Sequence, residues 1–287
     1  MNKTKKVRSS LAKRNLQKFL SNRLALVGLI MLVVVLVMTF GAPLFTNYDP
    51  EAPDIKARYA EPSSEHLLGG DAIGRDTWTR VLYGGRFSII IGVLGAIGTS
   101  LLAVILGCVS GYYGGKVDAI IVYISEIFYS FPQLLMVFIL VGFVGRGWVN
   151  LIFIFTFTGW IFGFRIVRSK ILSLKQETFI ESCKANGIGG LSIMFRHMLP
   201  NTLGPVIVNL TLSAAGFVLQ EAALSFIGLG VEAGIPTWGK LINSAKGMEI
   251  MQNYPMLWIA PGVAITIFVL AINFFGDGLR DVYDPGQ

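Results

Sequence analysis

The most informative polar segment of the chain is Glu177–Asn201, with the sequence ETFIESCKANGIGGLSIMFRHMLPN. It lies between two apolar stretches that are each long enough to cross a bilayer. Glycine at position 187 can adopt the left-handed conformation that ends a helix, and Pro200 cannot continue a helix interior. The segment therefore predicts two short amphipathic helices, a basic hairpin suited to docking a soluble partner.

Motifs for catalysis or cofactor binding are absent from the sequence. Gly114-Gly115-Lys116 lacks the flanking residues of a phosphate-binding loop and indicates a tight turn instead. His66 and His197 are predicted on opposite sides of a membrane, so they cannot build one metal site. Cys108 and Cys183 are both predicted near the cytoplasmic side, where thiols stay reduced. We therefore expect no catalytic residue, metal site or bound cofactor, and no disulfide.

The elements that position this hairpin are membrane spans. Apolar residues make up 53% of the 287 residues and charged residues only 14%, against about 25% charged in ordinary soluble domains. A bilayer-spanning helix needs about 20 apolar residues. Six stretches meet that length: Leu24–Phe45, Phe87–Val109, Ala119–Val144, Val149–Val167, Leu203–Phe226 and Met256–Phe275.

The basic residues predict the orientation of these spans. The first 23 residues carry eight lysines and arginines and no acid, which places this end in the cytoplasm by the positive-inside tendency. Counting six spans then places the basic region 165–196 in the cytoplasm as well. The loop 46–86, with seven acids and five bases, lies outside. Topology thus accounts for the net charge of +7.

Two other interpretations of the N-terminus are weaker. A cleavable signal peptide has an apolar core of about 7–15 residues, whereas the run from Leu24 to Phe40 is already longer, so we expect a retained first span. A basic arm that binds nucleic acid would account for the lysines, but their agreement with the topology favours a cytoplasmic segment and no nucleic-acid partner.

Three motifs resemble one family. The run Glu181-x-x-x-Ala185-x-Gly187, with Ile193 and Leu199-Pro200 behind it, resembles the cytoplasmic loop of permeases of bacterial ATP-binding-cassette importers. The run from His66 to Arg86 is similar to the signature of the dipeptide, oligopeptide and nickel permeases. A third run, Leu224–Val231 with Trp238-Gly239, recurs near the fifth span of that branch. The motifs occur in the expected order and on the predicted sides.

The resemblance implies an all-α polytopic protein with six transmembrane helices and the type I importer permease fold. It implies a complex with a homologous permease, two cytoplasmic ATPase subunits and an extracellular substrate-binding protein. ATP and Mg²⁺ would be bound by the ATPase subunits and not by this chain. The resemblance further implies that the cytoplasmic loop couples ATP hydrolysis to the spans through Glu181, Lys184, Ala185, Gly187, Arg196, Leu199 and Pro200.

Two acids fall inside predicted spans, where a charge costs at least ~2.5 kcal/mol unless it faces a partner or water. We expect Glu126 to face the bundle interior or the sister subunit. Glu221 is predicted near the outer end of span five, either at an interface or at the mouth of the pathway. Both are candidates for the translocation pathway.

Small residues and one proline predict how the spans pack. Gly107-x-x-x-Gly111 and Gly159-x-x-x-Gly163 allow close helix contacts, either within the chain or with a second subunit. Gly92, Gly95 and Gly98 narrow one side of span two in the same way. Phe131-Pro132 predicts a kink in span three, because proline removes a backbone hydrogen bond.

The outer loop combines charges of both signs. Asp76–Tyr83 has helix-like spacing and is predicted to lie on the surface. The loop could dock the binding protein, or form a self-contained lid closed by internal salt bridges, or do both; its candidate residues are Asp71, Arg75, Asp76, Arg80 and Arg86.

The sequence therefore predicts a cytoplasmic segment 1–23, a first span 24–45, an extracellular loop 46–86, and a permease core 87–279. The core contains the coupling loop 173–201, and a cytoplasmic tail follows at 280–287. The expected function is import of dipeptides and oligopeptides across a bacterial cytoplasmic membrane, with both termini cytoplasmic. The alternatives are import of nickel or a metal chelate by the same machinery, and a secondary transporter driven by an ion gradient.

Overall fold

The helices of the chain follow a simple order. The structure, a computed structural model, describes residues 17–283. Its helices are α1 (Arg23–Phe40), α2 (Thr77–Tyr113), α3 (Gly115–Tyr129), α4 (Gln133–Val144), α5 (Trp148–Leu174), α6 (Thr178–Ala185), α7 (Leu203–Ile227), α8 (Trp238–Ser244), α9 (Met248–Asn253) and α10 (Met256–Tyr283). Shorter turns lie at Ala42–Leu44, Ile55–Ala57 and between Gly190 and Asn201. Within the described residues, Gly70 and Asp76 form the only strand-like bridge.

Five of the described helices are long and apolar enough to cross a membrane: α1, α2, α5, α7 and α10. The pair α3 and α4 passes the same test only as a unit, and it is bent by 89° at the break around Pro132. Counted as one broken span, the pair completes the predicted six. The kink predicted at Phe131-Pro132 is confirmed, although a bend this large makes two separate helices.

Local sequence explains where the helices begin and end. The side chain of Asn22 accepts a hydrogen bond from Ala25 N and begins α1, and Asp76 does the same for α2 through Thr79 N. Gly114, with a φ of 67°, ends α2, and Gly228, in the left-handed conformation with a φ of 88°, ends α7.

Glycines bring the spans of this chain into close contact. A Cβ added at Gly107 would lie 2.7 Å from Val167 Cβ, and one at Gly111 would lie 2.8 Å from Ile171 Cγ2. Gly159 and Gly163 of α5 contact Phe217 of α7 and Ala103 of α2 in the same way. The predicted close packing is therefore confirmed, and its partners at these positions are α2, α5 and α7 of one chain.

Several helix ends differ from the predicted boundaries, whose membrane limits stay a prediction. The first span ends at Phe40 instead of Phe45. The outer loop ends at Asp76 instead of Arg86, because Asp76–Tyr83 is the capped start of α2 and not a surface-lying segment. The last helix continues to Tyr283, past the predicted tail boundary at 280. Residues 1–16 and 284–287, which hold most of the basic segment and the end of the tail, lie outside the described residues.

Helix α2 separates the two polar regions of the molecule. Its 37 residues correspond to about 55 Å at 1.5 Å per residue. The segment 46–86, called the polar loop below, includes the first ten residues of this helix. The segment 177–201, called the hairpin, packs against its last turn, where Gly190 contacts Tyr112. The polar loop and the hairpin therefore lie at opposite ends of the bundle.

Candidate functional site

The hairpin is built from two short helical arms. Helix α6 forms the first arm, and its backbone reverses at Gly187, which has a φ of 72°. The second arm begins at Gly190 and continues as a π-helical turn, Ile193–Met198, and a 3₁₀ turn, Leu199–Asn201. The bend predicted at Gly187 is confirmed, while the second arm starts two residues before the predicted Ser192.

Apolar side chains anchor the hairpin to the bundle. Ile180 from the first arm and Ile193, Met194 and Met198 from the second are fully buried. They form one cluster with Cys108 of α2 and with Val167 and Ile171 of α5. Sequence reasoning did not assign this role to Ile180, Met194 or Met198, although Met194 and Met198 have the four-residue spacing of one helix face.

The residues that the resemblance assigned to coupling lie on the opposite face. Leu199 is half-buried against the apolar anchor, whereas the other six are exposed: Glu181, Lys184, Ala185, Gly187, Arg196 and Pro200. Within the described part of the chain, the side chains of Glu181, Lys184 and Arg196 make no hydrogen bond or ion pair. Their charges are available to another molecule.

Exposed apolar side chains extend this charged surface. Phe179 and Phe195 are each 41% exposed, and Leu191 is 64% exposed. Aromatic residues are enriched at the centre of protein–protein interfaces, and charged residues lie mainly at the rim. These three residues were not singled out from sequence, because an apolar residue in an amphipathic helix is equally expected to face the bundle.

The hairpin is tied firmly to the spans around it. Lys175–Glu177 join it to α5, and Thr202 joins it to α7. Close by, Arg168 of α5 donates two hydrogen bonds to Asp118 of α3, each 2.6 Å long. Ser110 of α2 also donates to this carboxylate. Such a bidentate pair is geometrically specific, so α2, α3 and α5 are held together beside the hairpin.

The polar loop forms a buried ion-pair network. Arg75 Nε and Arg80 Nη1 donate to Asp71 Oδ2 over 2.8 and 2.5 Å. Glu51, which was not predicted as a site residue, accepts from Arg75 Nη1 at 2.9 Å and contacts Arg80 Nη2 at 3.4 Å. Asp71 and Arg80 are each only 5% exposed. The charges of Glu51, Asp71, Arg75 and Arg80 are therefore used within the chain.

Asp71 also holds the backbone of the loop. Its Oδ1 accepts hydrogen bonds from the N–H groups of Ile73 and Arg75, each 3.0 Å long. Burial opposes ionisation of this carboxyl group, but these N–H groups and the charges of Arg80 and Arg75 outweigh it. The pKa of Asp71 consequently lies below its ordinary value of 3.8.

The remaining candidates of the polar loop, Asp76 and Arg86, bind the backbone at helix ends. Asp76 Oδ1 caps α2, and its Oδ2 lies 3.0 Å from His66 Nδ1. Arg86 Nε donates to Thr39 O over 2.7 Å and its Nη2 to Phe40 O over 3.0 Å. Arg86 thus satisfies carbonyl groups at the end of α1. These contacts correspond to the self-contained lid, one of the two roles that the sequence left open.

Glu221 lies inside the chain, neither on an outer face nor at the mouth of a pathway. It is 0% exposed, and it accepts hydrogen bonds from Ser88 over 2.8 Å and from Ser225 over 2.6 Å. Ser88 also accepts from Trp238 N at 3.2 Å. The contacts connect α2, α7 and α8, so both predicted positions of Glu221 are corrected. Its partner Ser88 is 133 residues away in sequence. No local sequence pattern therefore indicated that these two residues are in contact.

Glu126 lies on an exposed face of α3, one turn before the break at Pro132. Its expected place in the interior of this chain is therefore corrected. Its neighbours Tyr123 and Ile127 are 66% and 45% exposed, so this face of α3 is apolar apart from one carboxylate. A position against a sister subunit, the other expectation for Glu126, stays a prediction.

Comparisons with known proteins give consistent matches. The family described as "Binding-protein-dependent transport system inner membrane component" matches residues 103–287. The family described as "N-terminal TM domain of oligopeptide transport permease C" matches residues 10–62.

Two curated relatives match almost the whole chain. An oligopeptide transport system permease protein of Bacillus subtilis is 37% identical over 96% of this chain and 90% of its own length. A dipeptide transport system permease protein of Alkalihalophilus pseudofirmus is 40% identical over 92% of this chain and 86% of its own length.

Proposed function

Because the chain belongs to the family of binding-protein-dependent transport system inner membrane components, we propose that it forms half of the translocation pathway for dipeptides and oligopeptides. The chain is the permease subunit of such an importer. It is an all-α integral membrane protein whose spans carry the solute. Peptides are the favoured solutes because the relatives above are oligopeptide and dipeptide permeases.

The proposed complex pairs this chain with a homologous permease, two ATPase subunits and an external binding protein. ATP and Mg²⁺ are held by the ATPases. In this arrangement both chain termini and the hairpin lie in the cytoplasm, and the polar loop lies outside. The basic residues 1–23 and 165–196 support that orientation through the positive-inside tendency.

The observation that carries the coupling role is the two-sided hairpin. One side is a buried apolar anchor on α2 and α5, and the other side is an exposed surface with unpaired charges and apolar side chains. We assign the exposed side to a groove on an ATPase subunit, where Glu181 meets a basic residue. Closure of the ATPase dimer around ATP then moves the two hairpins together, and the spans open outward.

The complex can be tested by affinity purification of the tagged chain from mild detergent, with mass spectrometry of the proteins that accompany it. We expect stoichiometric recovery of a second permease and of ATPase subunits. Glu181→Arg should remove the ATPases and retain the second permease. The matched control is Glu61→Arg, the same charge reversal at an exposed residue of the polar loop. It should retain both.

A chain that purifies alone under gentle conditions would contradict the complex. Retention of the ATPases by Glu181→Arg would contradict the role of Glu181 alone. The solute is tested separately, by uptake of a labelled dipeptide and of nickel in cells lacking this chain and in cells that carry it again. If the restored cells took up nickel but not the dipeptide, nickel and not a peptide would be the solute.

A further inference from the structure

A cavity with an unassigned role opens at the hairpin end of the bundle. It has a volume of about 540 Å³ and lies between α5, α7 and α10. One wall is apolar and is formed by Phe162, Ile166, Val208 and Leu212. Two cations, Lys170 and Arg280, lie at its rim. Neither the coupling role nor the polar loop uses any of these residues.

The two cations of the rim are unpaired. Lys170 and Arg280 are exposed, and among residues 17–283 neither makes a hydrogen bond or an ion pair. Arg168, by contrast, is paired with Asp118 on another face of α5. The rim therefore carries two positive charges that attract an anion.

A buried amide opens into the same cavity. Asn209 is only 6% exposed, lines the cavity, and its side chain makes no hydrogen bond in the described part of the chain. An unpaired polar group is costly at this depth of a membrane span. A ligand with a polar atom below its charged group would supply the missing partner.

The groups that line the cavity are spread along the axes of the spans. Phe162 precedes Lys170 by eight residues of α5, which corresponds to about 12 Å along the helix. The cations thus lie near the bilayer surface, Asn209 lies deeper, and the apolar wall faces the hydrocarbon. Phe162 is 65% exposed, so the wall is accessible from the side of the bilayer.

From this layout we infer that the cavity binds one anionic phospholipid of the leaflet at the hairpin end. Its phosphate lies between Lys170 and Arg280, an ester group reaches the amide of Asn209, and an acyl chain lies along Val208 and Leu212. Basic pockets between spans recognise anionic headgroups in this way. A free phosphate or a small peptide would match the cations but not the apolar wall, so the lipid is favoured.

The inference is tested on the delipidated complex in detergent, by native mass spectrometry with phosphatidylglycerol or phosphatidylcholine of the same chains. We expect one retained phosphatidylglycerol per chain and no retained phosphatidylcholine. Lys170→Gln with Arg280→Gln should weaken retention roughly 30-fold, since each surface cation contributes about a factor of five. The matched control, Lys116→Gln with Lys175→Gln, removes two charges at the same end of the bundle outside the cavity and should bind as the wild type does.

A second variant tests the apolar wall and leaves the charges in place. Val208→Trp fills the cavity and should also abolish retention of phosphatidylglycerol. Unchanged lipid binding by either cavity variant would overturn the inference. So would displacement of the lipid by a dipeptide, since that result would assign the cavity to the solute. Elution as an intact complex shows that each variant is folded.

Discussion

The polar loop and the hairpin use similar residues in opposite ways. In the polar loop, Asp71 and Arg80 are buried and paired with each other. In the hairpin, Glu181 and Arg196 are exposed, and among the described residues neither is paired. Apolar residues show the reverse, because Ile180 and Met198 of the hairpin are fully buried beneath its charged surface.

This difference shows how the two ends are stabilised. The polar loop is held by its own charges, so its charged residues mainly stabilise the chain. The hairpin is held by its apolar anchor, so its charged residues are free to bind another protein. Mutations of charged residues should therefore lower the stability of the chain at the polar loop, and should impair assembly of the complex at the hairpin.

The largest loss of stability is expected for Asp71→Ala. It removes one of the two acids that pair with Arg75 and Arg80, leaving Glu51, and it removes the acceptor for two backbone N–H groups. Removing one member of a buried ion pair costs about 3–5 kcal/mol, which should appear as a lower midpoint of thermal unfolding in detergent. Glu61→Ala, at an exposed position of the same loop, should change the free energy of unfolding by less than about 0.5 kcal/mol. Equal effects would mean that the network does not stabilise the loop.

The same pair of proteins has an expected pH dependence. The pKa of Asp71 is lowered from 3.8 by folding, so its stabilising contribution is complete above that pH and is lost as the pH falls below it. The difference in unfolding midpoint between wild type and Asp71→Ala should therefore be constant above about pH 5 and shrink toward about pH 3. A constant difference down to pH 3 would show that the charge of Asp71 contributes nothing.

Adjacent residues of α6 provide the next test. Ile180 is 0% exposed and Phe179 is 41% exposed. Ile180→Ala should lower the free energy of unfolding by about 2–5 kcal/mol, because it leaves a cavity in the anchor. Phe179→Ala should leave the unfolding midpoint nearly unchanged but reduce recovery of the ATPases. A reversed pattern in thermal unfolding and co-purification would show that the two faces of the hairpin are assigned wrongly.

A smaller effect is expected at the bend of the hairpin. Gly187 has a φ of 72° and open space around it, so Gly187→Ala costs only backbone strain, about 1 kcal/mol. Gly189, with a φ of −63°, is the matched control, and Gly189→Ala should not destabilise. Thermal unfolding of both variants measures how much the bend contributes to stability. Co-purification of the ATPases measures how much it contributes to docking. Identical midpoints would mean that the left-handed conformation is not required.

The smallest effect on stability is expected for Glu181→Arg. Its side chain makes no contact with a charged or polar group in the described part of the chain, so the free energy of unfolding should change by less than about 0.5 kcal/mol. The same variant should lose the ATPases completely. If it unfolded at a clearly lower temperature, loss of the ATPases could not be assigned to docking.

Much of the fold followed from local pattern. Apolar length predicted the spans, Asn186-Gly187 and Pro200 predicted the limits of the hairpin arms, and the Gly-x-x-x-Gly spacings predicted close packing. The start of α2 was misplaced because two arginines and two glycines interrupt the apolar residues of Thr77–Arg86, although part of this segment packs against Trp238. The side of α3 that carries Glu126 was misplaced because the angle at Pro132 cannot be calculated from proline alone.

The membrane spans and the two-armed hairpin could be predicted from sequence alone. Both depend on runs of neighbouring residues, namely apolar length and turn chemistry. Which charged residues are used internally depends on the tertiary structure. The pairing of Asp71 with Arg80, of Asp118 with Arg168, and of Glu221 with Ser88 joins separate elements. A charged side chain has the same sequence pattern whether it is buried with a partner or exposed, because its burial depends on which helices pack beside it.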